Sequence, residues 1–254
     1  MSQPKILILR APGTNCDAET AHAFRLAGGA PEVVHLNQLL DSPRLANDFQ
    51  VLCIPGGFSY GDDIAAGRIF GNQIRHHLAD ALREFREAGK LVLGICNGFQ
   101  VLIKSGLLDI DDAQGSAASL TWNESGRYID RWVGLKTSGD RCAFLQGMTE
   151  LALPIAHAEG QFVVRDEESL KKFQQNGQLV LRYADVEDMP SPFNPNGATA
   201  DVAGMCDTTG RVFGLMPHPE RFVDFTQHPQ WTRRDDRGEG AGLAVFRNAV
   251  RYFS

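Results

Sequence analysis

The sequence predicts an α/β protein in which helices cover both faces of a mainly parallel sheet. In the first half of the chain, short apolar runs alternate with amphipathic helical segments. The runs are apolar at nearly every position, which is typical of parallel strands buried on both faces. From about Gly115 onward, strand-like segments follow one another through turns. These segments predict additional, partly antiparallel strands that extend the sheet.

The chain opens with a strand–helix–strand unit. The apolar runs KILILR (residues 5–10) and PEVVHL (31–36) predict two strands, of which the first is buried. Between them, DAETAHAFRLAGG (17–29) predicts a helix that stops at two glycines.

A second unit follows with the same alternation. FQVLCIPGG (49–57) predicts a strand closed by Pro-Gly-Gly, and KLVLGIC (90–96) predicts the next buried strand. The segment between them (71–90) predicts a long amphipathic helix, and NGFQVLIKSGLL (97–108) predicts another helix. The apolar residues of the long helix recur near one face: Ile74, Leu78, Leu82 and Phe85.

The second half of the chain is richer in strands. The predicted strands are RYIDRWVGLK (127–136), LPIAHAEGQFVV (153–164), GQLVLRYA (177–184), ATADVAGMCD (198–207) and VFGLMPHPE (212–220). Residues 225–242 predict a long, mobile loop, and residues 240–253 predict a closing helix. Because no repeat, low-complexity linker or charge block divides the chain, we predict one domain over residues 1–254.

Composition excludes several classes of protein. The 254 residues carry a net charge of −6 without a basic stripe, which argues against a nucleic-acid or anionic-membrane partner. No apolar run reaches the length of a membrane span, and the first residues lack the features of a signal peptide. The five scattered cysteines contain no CxxC pair, which argues against a disulfide framework or a zinc site and favours a cytoplasmic protein.

Cys96 lies between a predicted strand and a predicted helix, in the frame G-I-C-N-G. This frame matches the G-x-S-x-G nucleophile elbow, in which a sharp turn exposes a reactive side chain. The following helix would point its N-terminus at the sulfur and favour the thiolate. The alternative is that Cys96 is a buried core residue, as free cysteines usually are. For Cys53, which lies inside a predicted strand, we predict a core position.

A second candidate group lies at the end of the last predicted strand, in M-P-H-P-E. Pro219 favours an extended backbone at His218, so His218 and Glu220 should point the same way. A carboxylate beside an imidazole holds its tautomer and stabilises the imidazolium. The alternative is a turn that carries a surface ion pair.

The third candidate element is the turn Pro55-Gly56-Gly57, which ends another strand. Exposed N–H groups at such a turn can stabilise an oxyanion, and the N–H of Asn97 would supply a second donor, as elbows generally do. The alternative is a flexible loop without chemistry.

The motifs P-G-G, G-I-C-N-G-F-Q and M-P-H-P-E together resemble the class I (triad-type) glutamine amidotransferases. The resemblance spans nearly the whole chain. It implies a flavodoxin-like open sheet with added antiparallel strands. It also implies that the domain hydrolyses glutamine through a cysteine thioester and passes ammonia to a synthetase.

Five motifs narrow this resemblance: RAPGTNCDAET, GGFSYGD, GICNGFQ, HAEGQF and PNGA. Together they resemble the glutaminase subunits of phosphoribosylformylglycinamidine synthases, which act in purine synthesis. The implied partners are a large synthase subunit, with or without a small accessory subunit. ATP and Mg²⁺ would be used by that partner, and no cofactor is expected here, where a G-x-x-x-x-G-K-[ST] loop is missing. Because Met1 just precedes the first strand, a separate subunit is expected rather than a fused synthase.

The resemblance also implies roles for single residues. Cys96 would be the nucleophile, His218 the general base and acid, and Glu220 the residue that orients His218. Gly57 and Asn97 would supply the oxyanion-hole N–H groups. Four further residues would line the substrate side: Gln100, His157, Glu159 and Gly160. One departure is that the arginine common in the family near Ala65 is missing and Arg68 lies further on, which leaves its role in a partner contact open.

Three alternatives remain open. The chain could serve a different synthetase, although Asn97 and the HAEG motif argue against this. It could be a cysteine hydrolase of γ-glutamyl peptides. A pocket that is exposed without a partner would favour this alternative. It could be a non-catalytic regulatory subunit, although such a subunit would not need all of Cys96, His218 and Glu220.

Overall fold

The computed structural model describes residues 3–187, 189–235 and 237–254. Its strands are β1 Lys5–Arg10, β2 Ala30–His35, β3 Val51–Ile54, β4 Leu91–Ile95, β5 Asp111–Asp112, β6 Gly115–Ser116, β7 Ala118–Thr121, β8 Ile129–Thr137, β9 Glu150–His157, β10 Gln161–Val164, β11 Leu181–Tyr183, β12 Val202–Cys206 and β13 Val212–Leu215. Its α-helices are α1 Asp17–Leu26, α2 Leu36–Asp41, α3 Arg68–Gln73, α4 Ala79–Glu87, α5 Asn97–Ser105, α6 Glu167–Gln175 and α7 Leu243–Arg251. A π-helical turn, Ile74–Leu78, joins α3 to α4.

Within the described residues, nine strands form the main sheet, in the order β2-β1-β3-β4-β13-β12-β11-β8-β9. The strands from β2 to β13 run parallel, and those from β12 to β9 run antiparallel to their neighbours. Every residue of β3 and β4 is buried, as expected for strands covered on both faces. The predicted sheet architecture is therefore confirmed.

Helices cover both faces of this sheet. The α1 helix packs on α7, where the rings of Phe24 and Phe246 meet edge to face at 4.9 Å. The α3 helix packs closely on α5, since a Cβ added at Gly71 would lie 3.1 Å from the Val101 carbonyl oxygen. The connections β1-α1-β2 and β3-α3-α4-β4 cross the sheet in opposite directions, so right-handed crossovers place α1 on one face and α3, with the α5 helix packed on it, on the other. The core face predicted for the long helix is confirmed, with these residues buried: Ile74, Leu78, Leu82 and Phe85.

One predicted strand is wrong in its course. Residues 153–164 do not extend the main sheet throughout, because β9 ends at His157 and β10 pairs with β7 in a separate two-stranded sheet. The side chain of Asn123 holds the intervening turn: its Nδ2 donates to the His157 carbonyl, and its Oδ1 accepts from the Gly160 N–H. The break thus depends on a distant residue that the local pattern does not reveal.

Two helices were missed by the sequence prediction, α2 and α6. The α6 helix begins after Asp166, whose side chain accepts a hydrogen bond from the Ser169 N–H at 2.7 Å. An Asp before a run of Glu residues is a helix-start signal that could have identified α6.

The predicted loop 225–242 contains two short 3₁₀ turns, Phe225–Gln227 and Trp231–Arg233, and its residue 236 lies outside the described residues. Its mobility stays a prediction. Within the described residues, no helix combines the length and the apolar character that a membrane crossing requires.

Candidate active site

Cys96 occupies a strained turn between β4 and α5. Its φ of 51° and ψ of −106° are unusual for a residue with a side chain, and strain of this kind is concentrated at functional sites. A Cβ at Gly98 would lie 1.9 Å from the Ile54 carbonyl oxygen, and one at Gly94 would lie 2.6 Å from the Gly98 oxygen. Both glycines of the G-I-C-N-G frame are therefore required by close packing, and the predicted elbow geometry is present.

His218 follows β13, and its Nδ1 lies 2.6 Å from Oε1 of Glu220. Both residues are at most 2% exposed, which excludes a surface ion pair. The predicted pair is correct, but the predicted backbone is wrong. Residues Pro219–Arg221 form a 3₁₀ turn rather than an extended segment, and this turn folds the carboxylate back onto the imidazole.

Neighbouring strands bring Cys96 and His218 to one edge of the sheet. The β4 and β13 strands are parallel, and their last residues, Ile95 and Leu215, lie opposite each other. Cys96 and His218 follow just beyond these carboxyl ends. Ligands bind at this edge in open α/β sheets. The sheet order thus joins two groups that are 122 residues apart in the sequence.

The charge state of His218 follows from its neighbours. Burial alone would lower the pKa of His218, but attraction to the Glu220 carboxylate and to the Cys96 sulfur raises this pKa well above its ordinary value. These neighbours therefore favour the protonated form of His218. An imidazolium beside a thiol favours the thiolate, which is the nucleophilic form.

The two predicted oxyanion donors have free N–H groups. Neither the N–H of Gly57 nor that of Asn97, the first residue of α5, donates a hydrogen bond among the described residues. Gly57 has a φ of 144°, and a Cβ there would lie 2.8 Å from the Asn15 nitrogen, so glycine is required at this position. Their role toward an oxyanion stays a prediction.

A cavity of about 280 Å³ opens beside Cys96. Its lining includes four residues for which the family resemblance implied substrate or oxyanion binding: Gly57, Gln100, His157 and Glu159. The exposed side chains of Phe58 and Trp122 complete part of its wall. The volume suits a small amino acid, and the nucleophile lies within reach of it.

Gln100 and His157 are held in place by neighbours. Gln100 Oε1 accepts from Asn97 Nδ2 at 2.8 Å, and Gln100 Nε2 donates to the Glu159 carbonyl. Burial, with a further effect of the His218 charge, lowers the pKa of His157 to about 3, so His157 is neutral at neutral pH. His157 can therefore accept or donate a hydrogen bond but does not supply a positive charge.

Two other candidates lie away from this cavity. Gly160 is not part of its lining, because it packs on the ring of His157, where a Cβ would lie 2.1 Å from Cε1. Arg68 begins α3 and lines a separate cavity together with Lys104. Its contact with a partner stays open.

Sequence reasoning did not single out Cys16, which precedes α1. The Arg221 Nη2 donates to the Cys16 sulfur at 3.2 Å, and a Cβ at Gly56 would touch both this sulfur, at 3.1 Å, and His218 Cε1, at 2.9 Å. Burial raises the pKa of the Cys16 thiol, so this cysteine is a poor competitor of Cys96 as a nucleophile. Its position in the motif RAPGTNCDAET was the available signal.

Asp62 was also missed as part of the cavity wall. Burial, followed by repulsion from the Glu159 carboxylate, raises the pKa of Asp62 to about 6. Hydrogen bonds from the Gly67 backbone and from Asn97 Nδ2 act in the opposite direction and lower this pKa in part. Two carboxylates therefore face the same cavity that contains the nucleophile.

The raised pKa of Asp62 predicts a dependence of stability on pH. Between the ordinary value of 3.8 and about 6, the folded protein binds more protons than the unfolded chain, so its free energy of unfolding falls as the pH rises. Asp62→Asn should remove this decline and raise the free energy of unfolding at pH 7 by about 1 kcal/mol, after allowance for solvent screening. Urea unfolding across this pH range measures the effect. The exposed neighbour Asp63 provides the control, since Asp63→Asn should keep this decline. If the free energy of unfolding of Asp62→Asn fell with pH as steeply as that of the wild type, the raised pKa would not belong to Asp62.

Comparisons with known proteins identify the family of this chain. Residues 3–253 match the CobB/CobQ-like glutamine amidotransferase domain family. The chain is 46% identical to the phosphoribosylformylglycinamidine synthase subunit PurQ of Dehalococcoides mccartyi, over 99% of this chain and 98% of that protein. It is 42% identical to the subunit of the same name from Methanococcus maripaludis, again over 99% and 98%.

Solved structures give the same result. A chain of the PurLQS structure from Thermotoga maritima aligns over the whole length of both chains, with a TM-score of 0.74 and 32% identity. A glutamine amidotransferase from the same organism, at 15% identity and a TM-score of 0.54, aligns over 99% of this chain and 92% of its own and shares the fold. The strained Cys96 elbow, the buried His218–Glu220 pair and these full-length matches lead to one conclusion: the chain belongs to the CobB/CobQ-like glutamine amidotransferase domain family and, within it, to the family of the PurQ subunits of phosphoribosylformylglycinamidine synthase.

Proposed function

We propose that this chain is the glutaminase subunit of a phosphoribosylformylglycinamidine synthase. It hydrolyses glutamine to glutamate and ammonia, as one glutaminase domain over residues 1–254, and delivers the ammonia to an ATP-dependent synthase subunit. The observation that carries the proposal is the Cys96 elbow beside the buried His218–Glu220 pair, in a chain 46% identical to a PurQ subunit over nearly its full length.

The chemistry is acyl transfer. The Cys96 thiolate attacks the side-chain amide carbon of glutamine, and the N–H groups of Gly57 and Asn97 stabilise the developing charge on the amide oxygen. The imidazolium of His218 protonates the departing ammonia and then, as the neutral base, takes a proton from water. That water hydrolyses the γ-glutamyl thioester, and Glu220 keeps the imidazole oriented through both steps.

Binding of the substrate uses the cavity walls. The carboxylates of Asp62 and Glu159 provide negative charge suited to the α-ammonium group of glutamine, and Gln100 and His157 offer neutral hydrogen-bonding groups. ATP and Mg²⁺ belong to the partner in this proposal, since the ammonia-producing steps above need neither. The similar Thermotoga maritima structure is described as PurLQS, which supports a complex with a PurL-type synthase subunit and a small PurS-type subunit.

The compartment inferred for this complex is the cytoplasm. The five cysteines are all free thiols, although all are buried, and a reducing compartment keeps thiols in this state.

The proposal is tested by reconstitution. The chain is mixed with the synthase subunits, ATP, Mg²⁺ and formylglycinamide ribonucleotide, and the amidine product is measured with glutamine or with ammonium as nitrogen source. Product formation from glutamine should depend on this chain, whereas formation from ammonium should not. Glutamine-dependent product without this chain, or none with it, would contradict the function. A γ-glutamyl peptidase would instead cleave γ-glutamyl peptides without the synthase.

The loop after the Gly56-Gly57 turn predicts control by the partner. Four residues within 60–64 have positive φ: Tyr60 56°, Gly61 69°, Asp62 52° and Ile64 75°. Ile64 is β-branched and 78% exposed, so the described residues leave this strained segment largely uncovered. A flip of the Gly56-Gly57 peptide has little steric cost and would move one oxyanion donor, which is worth about 10²–10³ in rate.

We therefore expect the isolated chain to hydrolyse glutamine about 10²–10³ times more slowly than the complete complex. Steady-state release of glutamate, with and without the synthase subunits, measures this difference. Labelling of Cys96 by iodoacetamide is the control, because its rate should change much less than turnover if the nucleophile is intact and only the donor is misplaced. Equal glutaminase rates in both states would rule out regulation by the partner.

A further inference from the structure

The catalytic imidazole has a second thiol beside it. The sulfur of Cys16, a ring nitrogen of His218 and a carboxylate oxygen of Glu220 all lie within 4.8 Å of one another. Each of the three residues is at most 2% exposed. Across the residues that the structure describes, this is the one group of three thiol, imidazole and carboxylate side chains that meets such a distance.

The donor set is that of a zinc site. Thiolate sulfur, imidazole nitrogen and carboxylate oxygen are the three protein ligands of Zn²⁺, and sites with three protein ligands leave a fourth position for water. Glu220 Oε2 is buried and has no hydrogen-bond partner among the described residues, so the carboxylate has an unused lone pair. The ligands come from residues 16, 218 and 220, and for this reason no metal-binding spacing is visible in the sequence.

We propose that Cys16, His218 and Glu220 form an inhibitory binding site for a soft divalent cation such as Zn²⁺. Since Glu220 Oε1 lies 2.6 Å from His218 Nδ1, a cation bound by both residues takes the position of the proton between these two atoms. Binding releases that proton and the thiol proton of Cys16 to solvent.

Occupancy of this site would stop turnover through the tautomer of His218. With the cation on Nδ1, the remaining proton of the neutral ring is on Nε2, which can then accept no proton from the thiol or from water. The bound ring also cannot become an imidazolium, so it cannot protonate the departing ammonia. This inhibitory consequence rests on the proposed function, whereas binding of the cation does not.

Arg221 sets the local charge and the access to this site. Its guanidinium donates to the Cys16 sulfur, and it pairs with Glu19 at 3.1 Å, which offsets the positive charge of the guanidinium. The Arg221 side chain is 37% exposed, so its displacement gives a cation a route from solvent to the sulfur.

Binding is tested with Co²⁺, whose bond to a thiolate gives a near-ultraviolet charge-transfer band. The full chain carries Cys96→Ala, so that a sulfur–cobalt band cannot arise from the nucleophile. We expect a band in this variant and its loss in Cys16→Ala/Cys96→Ala. A matched double variant, Cys206→Ala/Cys96→Ala, removes another buried cysteine and should keep the band. Circular dichroism checks that each variant is folded, and Cys16→Ser/Cys96→Ser repeats the test with smaller changes in volume.

The inhibitory effect is measured as the Zn²⁺ concentration that halves glutaminase activity in the complex, relative to the metal-free rate of each variant. Loss of an outer-shell partner already lowers metal affinity about 10–100-fold, so loss of the ligand Cys16 should raise this concentration at least as much. Three outcomes would each overturn the proposal. They are a cobalt band that persists without Cys16, the lack of any band in Cys96→Ala, and equal Zn²⁺ inhibition of wild type and Cys16→Ala. Failure of the proposed function would instead leave the cobalt band intact and remove only the glutaminase readout.

Discussion

Replacement of Cys96 by serine should abolish glutamine-dependent product formation, with a loss of about 10⁴-fold or more. The hydroxyl is a far weaker nucleophile than the thiolate, and the imidazolium of His218 cannot hold it in an ionised form. The complex should still form product from ammonium, because the synthase subunit does not depend on the thiol. Parallel assays with glutamine and ammonium, using one preparation of the complex, measure both effects.

Cys53 supplies the matched control for this prediction. It lies in β3, and burial, followed by repulsion from Glu220, raises the pKa of its thiol well above the ordinary value. A glutamine analogue with an electrophilic group should therefore label Cys96 and leave Cys53 unmodified. The Cys53→Ala variant should keep glutamine-dependent activity, with a loss of stability from the small cavity only. Substantial glutamine hydrolysis by Cys96→Ser, or labelling of another cysteine, would reject Cys96 as the nucleophile.

Replacement of His218 by alanine should also reduce glutamine-dependent turnover by about 10⁴-fold or more, because the proton donor for ammonia and the base for water are both lost. Glu220→Gln should be about 10–100-fold less damaging, since the imidazole remains in place although it is less well oriented. Rates of glutamate release in the complex compare the two variants. An equal loss in both would indicate that the carboxylate takes part in the chemistry directly.

A second measurement separates orientation by Glu220 from a purely structural role. The pKa of His218 is raised in the folded protein above its ordinary 6.5. The protonated pair therefore stabilises the fold fully below that pH, and this contribution is lost as the pH rises through the folded pKa. Glu220→Gln removes the carboxylate that raises this pKa, so its free energy of unfolding should decline less than that of the wild type toward alkaline pH. The same decline in both proteins would contradict the assignment.

The alternation of strand and helix in the first half, and with it the parallel sheet, could be predicted from the sequence because these elements depend on local apolar periodicity. The Cys96 elbow could also be predicted from the sequence. Its glycines at positions 94 and 98 are required by close contacts between β4, α5 and the neighbouring strand β3. His218 and Glu220 could be paired from their spacing alone, although the 3₁₀ turn that pairs them could not be foreseen.

The remaining features depend on contacts between distant residues. Asn123 ends β9 and diverts β10 into a separate sheet, and the order of strands decides that Cys96 and His218 share an edge. The sequence argued against a zinc site because its cysteines are scattered, yet folding places Cys16 beside His218 and Glu220. Spacing along the chain indicates only which residues are neighbours within one turn or strand. The charge and burial of Cys16, His218 and Glu220 depend on groups that become their neighbours only when the sheet assembles. The sequence by itself therefore determined the fold class and the three candidate residues Cys96, His218 and Glu220, and the tertiary structure alone decided the raised pKa of His218 and the second thiol beside it.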